Sequence, residues 1–287
     1  MKPSAVLIGM LLLGSLLSAC GGGSQSDGPR VVASFYPFAY VVEQVGGDDV
    51  EVDNLTSPGV EPHDVELRPK QVGSVQTADL VVYQRGFQGA VDDAVDRADR
   101  TKSDVVDVAT LVPTDKDPHT WLDPRTMVAV TKAVEARLSE ADPDNAATYA
   151  ASAERLEEQL VSLDEEFATG LKTCRTRTFV TSHAAFGHLA QRYDLNQVPI
   201  AGIDPTNEPT PSELAEISSL VRREGITTVF TEALVSPAIA ETVARETGAR
   251  TALLDPIEGL SDDTRDETYL ILMRHNLDAL REANSCS

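Results

Sequence analysis

Short, β-branched apolar runs alternate with helical patterns through most of this chain, and this alternation constrains its fold more than any other feature. Such alternation is typical of βα units stacked on parallel sheets. We predict four strands in each half, near residues 31–35, 50–55, 80–84 and 105–109, and then near 178–182, 197–201, 227–231 and 251–254. The matching plan of the two halves predicts an α/β fold with two lobes. Each lobe is expected to have a four-stranded, mainly parallel sheet flanked by helices.

Helical patterns follow most of these strands. They are predicted near residues 37–45, 69–76, 90–98, 184–193, 211–224, 237–247 and 265–283. Between the halves, Asp142 and Pro143 are typical of a capped helix start, and apolar residues recur at helical spacing over 156–167. No glycine or proline interrupts this segment before Gly170. We therefore predict one long linking helix over 142–170 that joins both lobes as a spine.

The first twenty residues predict export across a membrane. Lys2 gives a short positive start, residues 6–17 are mostly apolar, and small residues stand directly before Cys20. The apolar run is shorter than the ~20 residues that a membrane-spanning helix needs. The small pair before the cysteine resembles a bacterial lipobox, which implies cleavage before Cys20 and lipidation of its sulfur. An ordinary signal peptide with a chance cysteine is the alternative.

The segment after Cys20 is rich in glycine and serine and reads as a flexible tether. The expected domains are a signal peptide at 1–19, a lipidated tether at 20–29, an N-terminal lobe at 30–141, the linking helix at 142–170 and a C-terminal lobe at 171–287. The folded body would then be held by the lipid on Cys20 at the extracytoplasmic face of a bacterial cell membrane.

Charge and cysteine content narrow the function and the compartment further. The formal net charge of -22 disfavours nucleic-acid binding, which requires a basic face. With Cys20 lipidated, Cys174 and Cys286 remain as a pair in an oxidising compartment. We predict a disulfide between them, and two free thiols are the alternative.

Three of the chain's five histidines follow predicted strands. His63 and His119 lie in loops after strands of the first half, and His183 directly follows a strand of the second. Asp255 directly follows the last strand. Because open α/β sheets bind ligands beyond the carboxyl ends of their strands, we expect these four side chains to converge between the lobes. Three imidazoles and a carboxylate form a closed tetrahedral set suited to zinc.

Two further residues are expected near these ligands. Glu232 ends another strand that faces the same crevice, where it either hydrogen-bonds a ligand imidazole or merely lines the cleft. Trp121, the single tryptophan, is two residues from His119 and is expected to pack beneath it. A catalytic zinc usually keeps an open position for water. We therefore expect a binding protein and not an enzyme, with a zinc-dependent hydrolase as the alternative.

Four segments resemble one known family. They are Pro-His-Asp-Val-Glu-Leu-Arg-Pro at 62–69, Pro-His-Thr-Trp-Leu-Asp-Pro at 118–124, Thr-Ser-His-Ala-Ala-Phe at 181–186 and Leu-Asp-Pro at 254–256. Over the whole mature chain the sequence resembles the solute-binding lipoproteins of bacterial zinc and manganese ABC importers. The resemblance implies two α/β lobes joined by one long helix. It also implies metal ligands at His63, His119, His183 and Asp255.

The resemblance further implies zinc as the cargo and an ABC-importer permease as the partner. Manganese-type members tend to carry glutamate where this chain has His183. The chain departs from many zinc-type members because its segment 111–117 has no histidine-rich loop. The implied function is a monomeric extracytoplasmic receptor that captures zinc(II) between its lobes and delivers it to the importer. A manganese or iron receptor of the same build is the alternative, and a cell-adhesion function could coexist with transport.

Overall fold

The computed structural model describes residues 28–101, 104–112 and 117–287. The predicted signal peptide at 1–19, the lipidation site at Cys20 and most of the tether lie outside these described residues. Among the described helices, none is both long enough and apolar enough to cross a membrane.

The first half of the chain builds one parallel sheet with helices around it. Its strands are β1 (Arg30–Ala33), β2 (Glu51–Asn54), β3 (Leu80–Tyr83) and β4 (Val105–Asp107). They stand in the order β2-β1-β3-β4, and every neighbouring pair is parallel. The helices of this half are α1 (Tyr36–Gly46), α2 (Pro69–Thr77), α3 (Gly89–Arg97) and α4 (Pro124–Ala141). All four residues of β3 are buried, as expected for a strand covered on both faces.

The second half repeats this architecture. Its strands are β5 (Thr178–Thr181), β6 (Asn196–Pro199), β7 (Thr228–Thr231) and β8 (Arg250–Leu253), in the parallel order β6-β5-β7-β8. The helices of this half are α6 (Gly187–Arg192), α7 (Pro211–Glu224), α8 (Ala238–Thr247) and α9 (Tyr269–Ala283). The two sheets therefore have the same strand order, and the predicted two-lobe α/β fold is confirmed.

Helix α5 (Ala146–Gly170) joins the lobes. Its 25 residues give a length of about 37 Å. One side of the helix is buried, and it packs against α1 and α4 of the first half and against α9 of the second. Asp164 of α5 also binds Arg125 of α4 at 2.7 Å and Arg192 of α6 at 2.8 Å. The linking helix is therefore tied to both lobes.

The linking helix starts at Ala146, later than Asp142 and Pro143 predict. Asp142 is the C-cap residue of α4 instead. Its carboxylate accepts hydrogen bonds from the Asn145 side chain and the Tyr149 hydroxyl, both at 2.8 Å. The side chain that would cap a helix at 143 is thus used to hold the turn between α4 and α5.

Two helices of the second half also start later than predicted. Helix α6 begins at Gly187 because the backbone N–H of Ala184 donates to the Gly202 carbonyl at 3.0 Å, outside any helix. Helix α9 begins at Tyr269, where the Thr268 side chain caps its first turn.

Cys174 and Cys286 are joined, with their sulfur atoms 2.01 Å apart. The bridge ties the start of the second lobe to the end of the chain across 112 residues. Replacing both cysteines with serine should lower the free energy of unfolding by about 2–4 kcal/mol, because the unfolded chain is then less constrained. Urea denaturation of the wild type with and without a reductant, beside the double variant, measures this. An unchanged midpoint in both comparisons would contradict the expectation.

Candidate metal site

The loops after β2, β4, β5 and β8 meet between the lobes, at the carboxyl ends of both sheets. They bring together four side chains that could hold a metal ion, His63, His119, His183 and Glu258. His119, His183 and Glu258 are buried, and the side chain of His63 is only 8% exposed. Two members come from each lobe, so the cluster exists only when both lobes are in place.

The donor atoms of this cluster are spaced like the corners of a tetrahedron. Nε2 of His119 lies 3.2 Å from Nε2 of His63 and 3.4 Å from Nε2 of His183. Oε1 of Glu258 lies 3.5, 3.3 and 3.4 Å from Nε2 of His63, His119 and His183. A tetrahedral zinc ion with bonds of about 2.05 Å has edges of about 3.3 Å between its ligand atoms. Five of the six distances among these four atoms are thus close to the edges of a zinc tetrahedron.

Carboxylates contact two of the imidazoles at Nδ1, the ring nitrogen that faces away from the cluster. Nδ1 of His119 lies 2.7 Å from Oδ1 of Asp117, and Nδ1 of His183 lies 2.6 Å from Oε2 of Glu232. When Nδ1 carries the proton and donates it to the carboxylate, Nε2 presents its lone pair to the centre of the cluster. Glu232 thus contacts a cluster histidine. Asp117 was not predicted, although the aspartate two residues before a histidine offered a signal.

Asp255, the expected carboxylate ligand, lies outside the four-residue cluster, and the carboxylate in the cluster is that of Glu258. Its Oδ1 accepts from the Ile257 N–H at 2.8 Å, and its backbone N–H and carbonyl both bind the Asn276 side chain. Ile257 has a φ of 56°, which turns the chain sharply. Glu258, three residues beyond Asp255, is thereby aimed at the histidines. Asp255 shapes the loop, and Glu258 supplies the carboxylate.

Aromatic rings form a wall behind the imidazoles. Trp121 is buried, and its ring centroid lies 5.2 Å from that of His119. Its Nε1 donates to the Pro256 carbonyl at 2.7 Å, which connects the first lobe to the loop that carries Glu258. Phe87 packs edge-on against His63 with the centroids 4.7 Å apart.

Two buried glutamines after β3 fix the loops that carry His63 and His119. Gln84 donates to the Pro118 carbonyl, and Gln88 donates to the Pro62 carbonyl. Each of these carbonyls belongs to the residue just before a cluster histidine. Both glutamines were missed by the sequence analysis, because an isolated glutamine gives no signal of its partner.

Neighbouring carboxylates raise the pKa of two of the cluster histidines. Burial lowers the pKa of His183, but hydrogen bonds to Glu232 and Glu258 outweigh this effect and raise it to about 10. Burial raises the pKa of Glu258, but hydrogen bonds from the three histidines hold it well below its usual range. Burial also lowers the pKa of His119, but hydrogen bonds to Asp117 and Glu258 outweigh this effect and raise it. These shifts favour a protonated imidazole beside an ionised Glu258.

A family model described as "ZnuA: Zinc-uptake complex component A periplasmic" matches residues 31–283. This chain belongs to that family. The match covers both lobes and the linking helix of the ZnuA-family fold.

Named relatives of this ZnuA-family chain agree with the match. The zinc-binding lipoprotein AdcA of Streptococcus pneumoniae R6 is 34% identical over 300 residues, which cover 95% of this chain and 60% of AdcA. The high-affinity zinc uptake system protein ZnuA of Bacillus subtilis 168 is 32% identical, and the alignment covers 93% of each chain. This chain thus spans 93% of one relative and 60% of the other.

Solved structures of relatives share the fold. The Zn(II)-bound ZnuA-like domain of Streptococcus pneumoniae AdcA superimposes with a TM-score of 0.78 at 34% identity, covering 90% of this chain and 99% of that domain. The laminin-binding protein Lbp of Streptococcus pyogenes gives a TM-score of 0.80 at 32% identity, covering 90% of this chain and all of that one, 100%. The two-lobe architecture is therefore that of the ZnuA family.

Proposed function

We propose that this chain is an extracytoplasmic receptor that captures zinc(II) between its lobes and delivers it to the permease of an ABC-type importer. The observation that carries the proposal is that five distances among three imidazole nitrogens and one carboxylate oxygen lie at 3.2–3.5 Å, close to the edges of a zinc tetrahedron. His63, His119, His183 and Glu258 bind the ion as cargo.

The donor set favours a zinc receptor over the alternatives. Four protein donors fill the tetrahedron and leave no position for a catalytic water, which argues against a zinc-dependent hydrolase. Three nitrogen donors suit zinc, whereas manganese prefers more oxygen donors. All four donors belong to one chain, so a monomer is sufficient for binding.

The location and the partner are supported by the sequence and by the relatives. The small residues before Cys20 and the relative described as a zinc-binding lipoprotein support a lipid anchor at the outer face of the cell membrane. The description of the family as component A of a zinc-uptake complex supports an importer as the partner.

Titration of the purified full chain against a chromophoric zinc chelator tests the proposal. We expect one zinc ion per chain and little displacement of zinc by an equal concentration of manganese or ferrous iron. A chain that takes up no zinc, or that exchanges zinc readily for manganese, would overturn the proposal in favour of the alternative receptor.

Zinc affinity should rise with pH. Because the pKa of His183 is raised to about 10 in the metal-free chain, the proton on this imidazole must leave before Nε2 can bind zinc. Each released proton makes the apparent Kd about tenfold lower per pH unit while the pH stays below that pKa. Calorimetry in buffers of different ionisation enthalpy should detect at least one released proton near neutral pH. Heats independent of the buffer, with a constant affinity between about pH 6 and 8, would contradict this expectation.

A further inference from the structure

We propose that Gly187 and His188, at the start of α6 in the second lobe, hold Asp117 in the position from which it orients the imidazole of His119. The second lobe then sets the geometry of a zinc ligand that belongs to the first lobe. This inference rests on the proposed zinc-receptor function and assigns positioning residues for it.

Asp117 is fixed to His119 at two points. Its Oδ1 accepts from the backbone N–H of His119 at 3.0 Å and lies 2.7 Å from Nδ1 of the ring. His119 is fully buried, so no water can replace this carboxylate as the partner of Nδ1. The position of one carboxylate therefore decides both the tautomer and the direction of the imidazole.

Gly187 leaves space for Oδ2, the second carboxylate oxygen of Asp117. A Cβ atom on Gly187 would lie 2.4 Å from Oδ2 of Asp117, which is closer than real contacts allow. Gly187 is not among the residues with a positive φ, and it is the first residue of helix α6. Backbone conformation therefore does not require a glycine here, and the close approach of Asp117 does.

His188 fixes the main chain of the same residue. Its Nε2 donates to the Asp117 carbonyl at 2.8 Å, across the boundary between the lobes. His188 is outside the four-residue cluster, so it contributes to the site through this hydrogen bond to Asp117. Gly187 thus leaves room for the carboxylate of Asp117, and His188, the next residue, binds its carbonyl.

A methyl group at position 187 would push the carboxylate aside. Because Oδ1 is held by two N–H groups of His119, Asp117 cannot turn away without losing those bonds. Loss of such a partner typically costs about 10–100-fold in metal affinity. Gly187→Ala should therefore weaken zinc binding although no ligand atom has been removed.

The test measures zinc affinity of the full chain by chelator competition. Gly187→Ala should raise the Kd by about tenfold or more. Gly73→Ala is the matched control, because it also adds a methyl group to a helical glycine but that methyl meets no atom within 4 Å. In an Asp117→Ala background, Gly187→Ala should cause no further loss, since the shortened side chain no longer meets the new methyl group.

A second pair of variants tests the main-chain contact. His188→Ala should weaken zinc binding several-fold, and His188→Gln should restore part of the loss because the amide can also donate to the carbonyl. Circular dichroism of the metal-free variants checks that each is folded. An unchanged Kd for Gly187→Ala, or a loss that adds in full to that of Asp117→Ala, would overturn the inference. A wild-type chain that binds no zinc would instead overturn the proposed function.

Discussion

Replacing His119 with alanine should weaken zinc binding by more than about 100-fold, because this change removes a donor atom and not merely a residue that orients one. Such a loss corresponds to about 2.7 kcal/mol of binding free energy. Nε2 of His119 lies within 3.2–3.4 Å of the donor atoms of His63, His183 and Glu258, so it shares an edge of the tetrahedron with each of them.

The control for this variant is His275→Ala. His275 lies on α9, its side chain is 61% exposed, and it is not part of the cluster. We expect its removal to leave zinc affinity unchanged. Chelator competition gives the affinities, and circular dichroism of both metal-free variants separates loss of a ligand from loss of the fold. A His119→Ala chain that is folded and binds zinc as tightly as the wild type would remove this residue from the site.

Replacing Glu258 with glutamine should also weaken zinc binding by about 100-fold, whereas Asp255→Asn should cost less than about tenfold. Glutamine keeps the size of Glu258 but removes the negative charge that faces all three histidines. Asparagine at 255 still has a side-chain oxygen that can accept from the Ile257 N–H, so the turn of the loop is retained.

Measured side by side, these two variants decide which carboxylate binds the metal. Each removes one charge from the same loop, and both positions are buried. A larger loss for Asp255→Asn than for Glu258→Gln would return the ligand role to Asp255, as the sequence alone predicted.

The strands and the lobes could be predicted because they follow from local patterns. Short β-branched runs such as that of β3, buried on both faces, are readable without any knowledge of the tertiary structure. Helix starts were less predictable, because a side chain such as Asp142 can cap the helix that follows it or close the one before it. The hydrogen bonds of Asp142 to Asn145 and Tyr149 decide which helix it serves. These hydrogen bonds depend on how α4 and α5 pack.

The three histidines could be located because each lies beyond the end of a predicted strand. Glu258 could not be located in this way. The first candidate ligand beyond the last strand is Asp255, and the chain then turns through a positive φ at Ile257. A β-branched residue rarely adopts that conformation, so the sequence argues against the turn that brings Glu258 inward. Gly187 was missed because its contact with Asp117 crosses the boundary between the lobes.

A crystal structure of the zinc-loaded chain, with anomalous data at the zinc edge, tests the central claim most directly. We predict one zinc ion bound by Nε2 of His63, His119 and His183 and by a carboxylate oxygen of Glu258, at about 2.0–2.2 Å from each. An ion bound by Asp255 in place of Glu258, or an anomalous peak outside this cluster, would contradict it.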